Sequence, residues 1–389
     1  MGRRAAIIIL DGVGIGAAAD AADYGDAGSN TLGNLATAVG GFSLPNLERL
    51  GLGSCGTLAG VRQLDQPAAA FGTCQPASKG KDSTTGHWEL CGLMLDRPFP
   101  TYPNGFPAQL VDAFAQLTGR RVVGNKPASG TAILDELGEH HLKTGDWIVY
   151  TSADSVFQVA AHEDKVPLKE LYAACELARD LLKAPHDVSR VIARPFIGRP
   201  GAWTRTPRRK DYSIAPPGST LLDYLHDCHI PRLGIGKVDD LFAGRHITSV
   251  HTATNAEAYR MIRDGLRDMQ RGLLFANVIE FDQAWGHRND TAGFYQGLRE
   301  LDQVLPELLS AVREEDLVIF TADHGNDPTT PSTDHSREVV PLLVYGPRVR
   351  AVPLGSRRTF ADVGQTVAEF LGAAPLAAGT SFLGDVWAN

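Results

Sequence analysis

Short apolar runs bounded by Gly, Asp or Pro recur along the chain at 5–10, 148–150, 191–193, 233–235, 273–281, 317–321 and 339–345. They are rich in Ile and Val and shorter than an ordinary helix, so they predict buried strands. Between them the apolar positions change to helical spacing. In 168–182, which follows Pro167, the residues Leu168, Leu171, Tyr172, Cys175, Ala178 and Leu182 fall on one stripe. The stretches 221–228, 256–269, 292–312 and 360–371 have the same character. Strands that alternate with helices predict an α/β fold with a parallel sheet covered on both faces. The irregular stretch 199–217, with Pro200, Pro207, Pro216 and Pro217, reads as a domain junction.

Composition narrows this picture. A chain of 389 residues is long for one domain and predicts two. Hydrophobic residues make up 43% and charged residues 21%, which excludes a disordered chain, a coiled coil and a collagen-like fibre. The net charge of −8 argues against nucleic acid or an anionic membrane as partner. Cys55, Cys74, Cys91, Cys175 and Cys228 are odd in number and lack C-x-x-C spacing, as expected of reduced thiols in a cytoplasmic protein. The apolar run after Arg3-Arg4 stops at Asp11, too short for a signal segment or a membrane span.

Three predicted strands run into an aspartate: Asp11, Asp282 and Asp323. Ligands of open α/β sheets bind beyond the carboxyl ends of strands. Carboxylates gathered there repel one another unless a cation joins them. His287 follows Asp282, His324 follows Asp323, and Asp327, Asp334 and His335 come soon after. Mixed oxygen and nitrogen ligands suit Mn²⁺, Zn²⁺ or Fe²⁺. Their number suits two metals, which can clamp an in-line displacement at phosphorus. A single strand-end aspartate is as readily a helix cap or turn residue; it is the repetition with nearby histidine that points to metal. Ser83, Thr84 and Thr85, between Gly80 and Gly86, offer hydroxyl nucleophiles, and spacing alone does not choose among them. Gly12-Val-Gly14-Ile-Gly16-Ala17 fits a loose dinucleotide fingerprint, but the next stretch lacks the periodicity of the required helix.

Several long segments together resemble the bacterial-type phosphopentomutases of the alkaline phosphatase superfamily. They are residues 10–16, 81–89, 124–131, 150–155, 194–196, 204–207, 281–288 and 321–337. The resemblance implies an alkaline-phosphatase-like core, with a mostly parallel sheet flanked by helices, and an inserted smaller α/β cap. The core would comprise 1–97 and 213–389, and the cap 98–212. It further implies two Mn²⁺ ions, one held by Asp11, Asp323 and His324, the other by Asp282, His287 and His335. The nucleophile would be Ser83, where the family usually carries threonine. Asp154, Arg194, Arg205 and Lys237 would meet the substrate, a pentose phosphate, and Asp154 would orient a ribose hydroxyl. The implied reaction moves phosphate between the 1- and 5-oxygens of ribose or 2-deoxyribose through a phosphoserine. A sugar bisphosphate such as glucose 1,6-bisphosphate would prime it. A cytoplasmic monomer serving nucleoside salvage is the expected setting. A metal-dependent phosphatase, or a related mutase on the same core, is the alternative.

Overall fold

The computed structural model describes residues 2–152 and 154–388. It divides into two compact units, Met1–Pro98 with Pro216–Asn389, and Phe99–Ala215.

The larger unit is built on eight strands: β1 (Arg4–Leu10), β2 (Ala70–Cys74), β3 (Arg232–Ile235), β4 (Ser249–Val250), β5 (Gly272–Val278), β6 (Asp316–Thr321), β7 (Val340–Tyr345) and β8 (Pro353–Arg357). Their order across the sheet is β4-β3-β5-β1-β6-β7-β2-β8. β1 lies between β5 and β6, parallel to both. All three are buried along their whole length, and their central side chains are apolar on both faces rather than alternating. Arg4 opens β1 and pairs with Asp316 at the start of β6, a buried ion pair at the amino ends of the strands. The opposite, carboxyl ends are left for chemistry.

The sheet is mostly parallel, as the resemblance implies, with one reversed strand, β7, which runs antiparallel to both β6 and β2. One expectation changes here. The apolar run 273–281 is not one strand. β5 stops at Val278, and Phe281–Trp285 coil into a wide helical turn in which Phe281 packs on Trp285 and Phe294. Asp282 therefore lies in a buried turn beyond the strand and not at its last residue.

The smaller unit has a sheet in the order Val122–Pro127, Trp147–Thr151, Val156–His162, Arg190–Arg199 and Ala202–Arg205. Lys210–Ser213 also pairs with Arg190–Arg199. Helices Ala108–Thr118 and Leu168–Leu181 bury Phe114, Leu171 and Cys175 against Trp147, Phe157 and Val191. A second cluster, with Ile133, Leu134, Ile148, Tyr150 and Phe196, is contributed in part by helix Gly130–Thr144. The unit thus has a core of its own.

Candidate metal centre and nucleophile

The site grows from the carboxyl ends of β5, β1 and β6. Asp11 directly follows β1, and its backbone N–H still donates to the Val278 carbonyl of β5 at 3.2 Å. Asp323 stands two residues beyond β6 and accepts from the Gly12 N–H at 3.2 Å. Asp282 accepts from the Asn326 side-chain amide at 2.7 Å. All three carboxylates are buried.

The histidines approach them in two sets. His287 Nε2 lies 3.2 Å from Asp282 Oδ2, and His335 Nε2 lies 3.3 Å from Asp282 Oδ1. His324 Nε2 lies 3.3 Å from Asp11 Oδ1 and 3.5 Å from Asp323 Oδ2. His287 Nδ1 faces the Thr333 carbonyl at 2.6 Å, and His324 Nδ1 faces the Gly325 carbonyl at 3.0 Å. Each Nδ1 must carry a hydrogen to meet a carbonyl, which turns Nε2 toward the carboxylates. That is the arrangement of a metal-ligating histidine with its outer partner. One group of ligand atoms, from Asp282, His287 and His335, lies within 4.8 Å of one another, as does a second from Asp11, Asp282 and His324. Asp282 borders both groups, while Asp323 reaches the second through His324.

Ser83 opens the helix Ser83–Leu90, capped by the Asp82 side chain on the Thr85 N–H. Its Oγ lies 3.1 Å from His324 Nε2 and 3.5 Å from Asp11 Oδ1. Thr85 Oγ1 donates to Asp82 Oδ2 at 2.6 Å and is thereby turned to capping. The helix can come this close because residue 86 is glycine. A Cβ there would stand 2.1 Å from the Asp323 carbonyl oxygen. The loop before the helix is tied down by buried Arg337, which bonds the Pro76, Ser78 and Gly80 carbonyls and forms a two-armed pair with Asp20. Glu89, at the other end of the helix, accepts from the Ala77, Ser78 and Phe360 N–H groups. Neither Arg337 nor Glu89 was legible as a support from spacing alone.

Lys237 comes to the same place. The turn before it needs Gly236, whose φ is +80° and where an added Cβ would meet the Asn277 carbonyl oxygen at 2.2 Å. Lys237 Nζ lies 2.7 Å from Asp11 Oδ2. Burial opposes ionisation of Asp11, but Lys237 and His324 outweigh it and hold the carboxyl far below the carboxylate range. Burial likewise opposes a charge on His324, yet Asp323 and Asp11 push its imidazole up to about 10. Asp282 is also held low against burial, by His335 and His287. The centre demands positive charge, and protons and Lys237 meet that demand in the protein alone. Asp323 Oδ2 is buried without a hydrogen-bond partner among the described residues, as is Asn326 Oδ1. Such a donor set fits divalent cations.

The glycines of 12–16 answer to packing. A Cβ at Gly14 would strike Glu338, whose carboxylate holds the Thr31 backbone and hydroxyl. That explains the glycine pattern without a dinucleotide. The remaining predicted residues lie in the smaller unit. Asp154 is exposed. Arg194 Nε donates to Gln158 at 3.0 Å. Arg205 and the Tyr150 hydroxyl both approach Gly130 at the start of its helix, 2.8 Å and 3.2 Å from where a Cβ would be.

Comparison with known proteins fits this centre. The profile of the Metalloenzyme superfamily matches residues 3–375. The phosphopentomutase of Dictyoglomus thermophilum is 54% identical over 386 residues, covering 99% of this chain and 98% of its own. The chain belongs to the phosphopentomutase family. The phosphopentomutase of Acetivibrio thermocellus is 53% identical over 386 residues, covering 99% of this chain and all of its own (100%). Among solved structures, the phosphoglycerate mutase of Leishmania mexicana has a TM-score of 0.51 at 13% identity, covering 100% of this chain and 98% of that one. That likeness shows the alkaline-phosphatase-like α/β fold and no more. Membership of the phosphopentomutase family makes the chain a mutase of the metalloenzyme class. No helix among the described residues is long and apolar enough to cross a membrane.

Proposed function

We propose that the chain interconverts the 1-phosphate and 5-phosphate of ribose or 2-deoxyribose through a phosphoserine on Ser83. One observation carries the choice of residue: Ser83 Oγ is the hydroxyl turned toward His324 and Asp11, while Thr85 is engaged by Asp82. The pentose comes from the relatives that share about half of the sequence (54%) along the whole chain.

Asp11, Asp323 and His324 would hold one divalent ion, and Asp282, His287 and His335 the other, with Mn²⁺ the ion proposed. Bound there, two such ions neutralise charge on the phosphoryl oxygens and lower the pKa of the attacking hydroxyl. The chain's own groups set the geometry. Ser83 Oγ–H faces Asp11 Oδ1 at 3.5 Å, which places the hydroxyl beside that carboxylate at the helix start. Lys237 keeps Asp11 ionised for that contact.

In the forward half-reaction the phosphoryl group leaves Ser83 Oγ for a sugar hydroxyl, whose proton replaces it on Ser83 Oγ and is handed to the departing sugar oxygen in the return. In the return half-reaction the other phosphate of the resulting bisphosphate passes to Ser83 Oγ. Each step makes one P–O bond and breaks one, so catalysis is mainly positioning and charge neutralisation. Glucose 1,6-bisphosphate would load Ser83 at the start. Arg194 and Arg205 are assigned to substrate phosphate, since guanidinium matches phosphate oxygens with paired donors. Asp154 is assigned to a ribose hydroxyl, and Lys237 to phosphate as well as Asp11. A cytoplasmic monomer in nucleoside salvage completes the proposal.

The test is Ser83→Ala against Thr85→Ala in a mutase assay with Mn²⁺ and primer. Loss confined to Ser83→Ala supports the assignment. Full activity of Ser83→Ala overturns it.

A further inference from the structure

His87 is completely buried in the helix that Ser83 opens, one turn beyond it. Its Nδ1 lies 2.9 Å from the Ser83 carbonyl oxygen. The same Nδ1 lies 3.1 Å from Asp323 Oδ2. Both neighbours are acceptors, so Nδ1 must carry a hydrogen. The contact with Asp323 is off the line of a full hydrogen bond, which is why that oxygen still counts as unpartnered. On the far side of the ring, the Asn277 side-chain amide approaches Nε2 at 3.4 Å. That amide faces the Nε2 side of the ring and leaves Nδ1 to Ser83 and Asp323. Phe275 packs against the ring, with centroids 5.6 Å apart and planes 30° from parallel. The imidazole therefore has one orientation, held on its far side by two residues of β5.

We propose that His87 is a positioning residue that ties the nucleophile's backbone to the metal ligand Asp323. The Nδ1–H donates to the carbonyl of Ser83 while Nδ1 stands 3.1 Å from the carboxylate of Asp323, which links the helix start to the end of β6. Partners of this kind orient a ligand before the ion arrives, and their loss commonly costs about 10- to 100-fold in metal affinity. The inference rests on the reading of Asp323 as a metal ligand.

The substitutions that separate position from bulk are His87→Asn and His87→Gln. An asparagine amide nitrogen can stand where Nδ1 stands, whereas a glutamine amide reaches toward Nε2. The measurement is calorimetric titration of the metal-stripped full chain with Mn²⁺. H87Q is expected to bind Mn²⁺ at least about tenfold more weakly than the unaltered chain, and H87N within about threefold of it. Equal binding by H87Q and the unaltered chain would overturn the inference, as would equal loss in H87N and H87Q. If the unaltered chain itself binds no Mn²⁺, the metal reading beneath the inference fails instead. A second measurement needs no variant that could misfold. Nitrogen-15 NMR of the Mg²⁺-loaded full chain, labelled at histidine, should show a hydrogen on His87 Nδ1. A proton at Nε2 alone would contradict the proposal.

Discussion

Three adjacent hydroxyls begin one helix, and the hydrogen bonds of Ser83 and Thr85 give those two different tasks. Ser83→Ala should lower mutase turnover by on the order of 10³-fold or more, because the covalent route is lost. Thr85→Ala should keep the backbone cap and cost only the hydroxyl bond to Asp82, about 1 kcal/mol, seen as a small fall in melting temperature. A second residue-scale prediction concerns pH. Hydrogen bonds from Arg337 hold Asp20 below the ordinary carboxylate range, with burial opposing. Its folded pKa is thus below its unfolded one. The stability it adds is present above the unfolded pKa and is lost as pH falls through the folded value. Asp20→Asn should therefore destabilise the protein by at most about 1 kcal/mol near neutrality, because water screens the partly exposed carboxylate, and the gap between variant and parent should close in acid. Thermal melts of both proteins across that range check it, since acid effects on the other carboxylates are common to the two. At this scale much of the site was legible. Asp11, Asp323 and His324 stand where hydrophobic runs stop, and residue type names their chemistry. His87 and Asn277 were not, because a histidine in a buried helix and an amide inside a strand carry no spacing signal. Only the fold brings them together across β5.

At the scale of elements, glycine at 86 makes a test with an inverted sign. Ala is ordinarily better than Gly inside a helix by about 1 kcal/mol. Here the added Cβ would press on the Asp323 carbonyl oxygen, 2.1 Å away. Gly86→Ala should instead destabilise by about 1–3 kcal/mol and weaken Mn²⁺ binding, as the helix is pushed from β6. Denaturant unfolding with and without metal measures both; a gain in stability would mean that the helix can shift freely. The strands followed their apolar runs closely for β1 and β6. The run 273–281 misled because Ile279 and Phe281 are apolar for a different reason, burial in a turn. β2 escaped notice because Ala70-Phe-Gly-Thr-Cys74 is short and carries a glycine. The reversal of β7 was illegible, since a buried run reads the same whichever way its neighbours point.

Over the whole molecule, the smaller unit closes two apolar clusters around its own sheet. Residues 99–215 expressed alone should unfold cooperatively on heating, as a domain with its own core does; a broad, featureless melt would contradict that. The larger unit gathers Asp11, Asp282 and Asp323, and their mutual repulsion makes the folded protein a binder of cations. Ion present at about 100 times its dissociation constant should add about 2.7 kcal/mol of stability, which a chelator should remove. The central claim is phosphoryl transfer between two positions of a pentose, and a phosphorus NMR time course tests it most directly. Ribose 5-phosphate would be supplied with Mn²⁺, with and without glucose 1,6-bisphosphate, and with chelator as control. The account predicts a growing ribose 1-phosphate signal, faster with the bisphosphate and absent with chelator or in S83A. Inorganic phosphate as the sole product would contradict it, because water and not sugar would then be taking the group from Ser83.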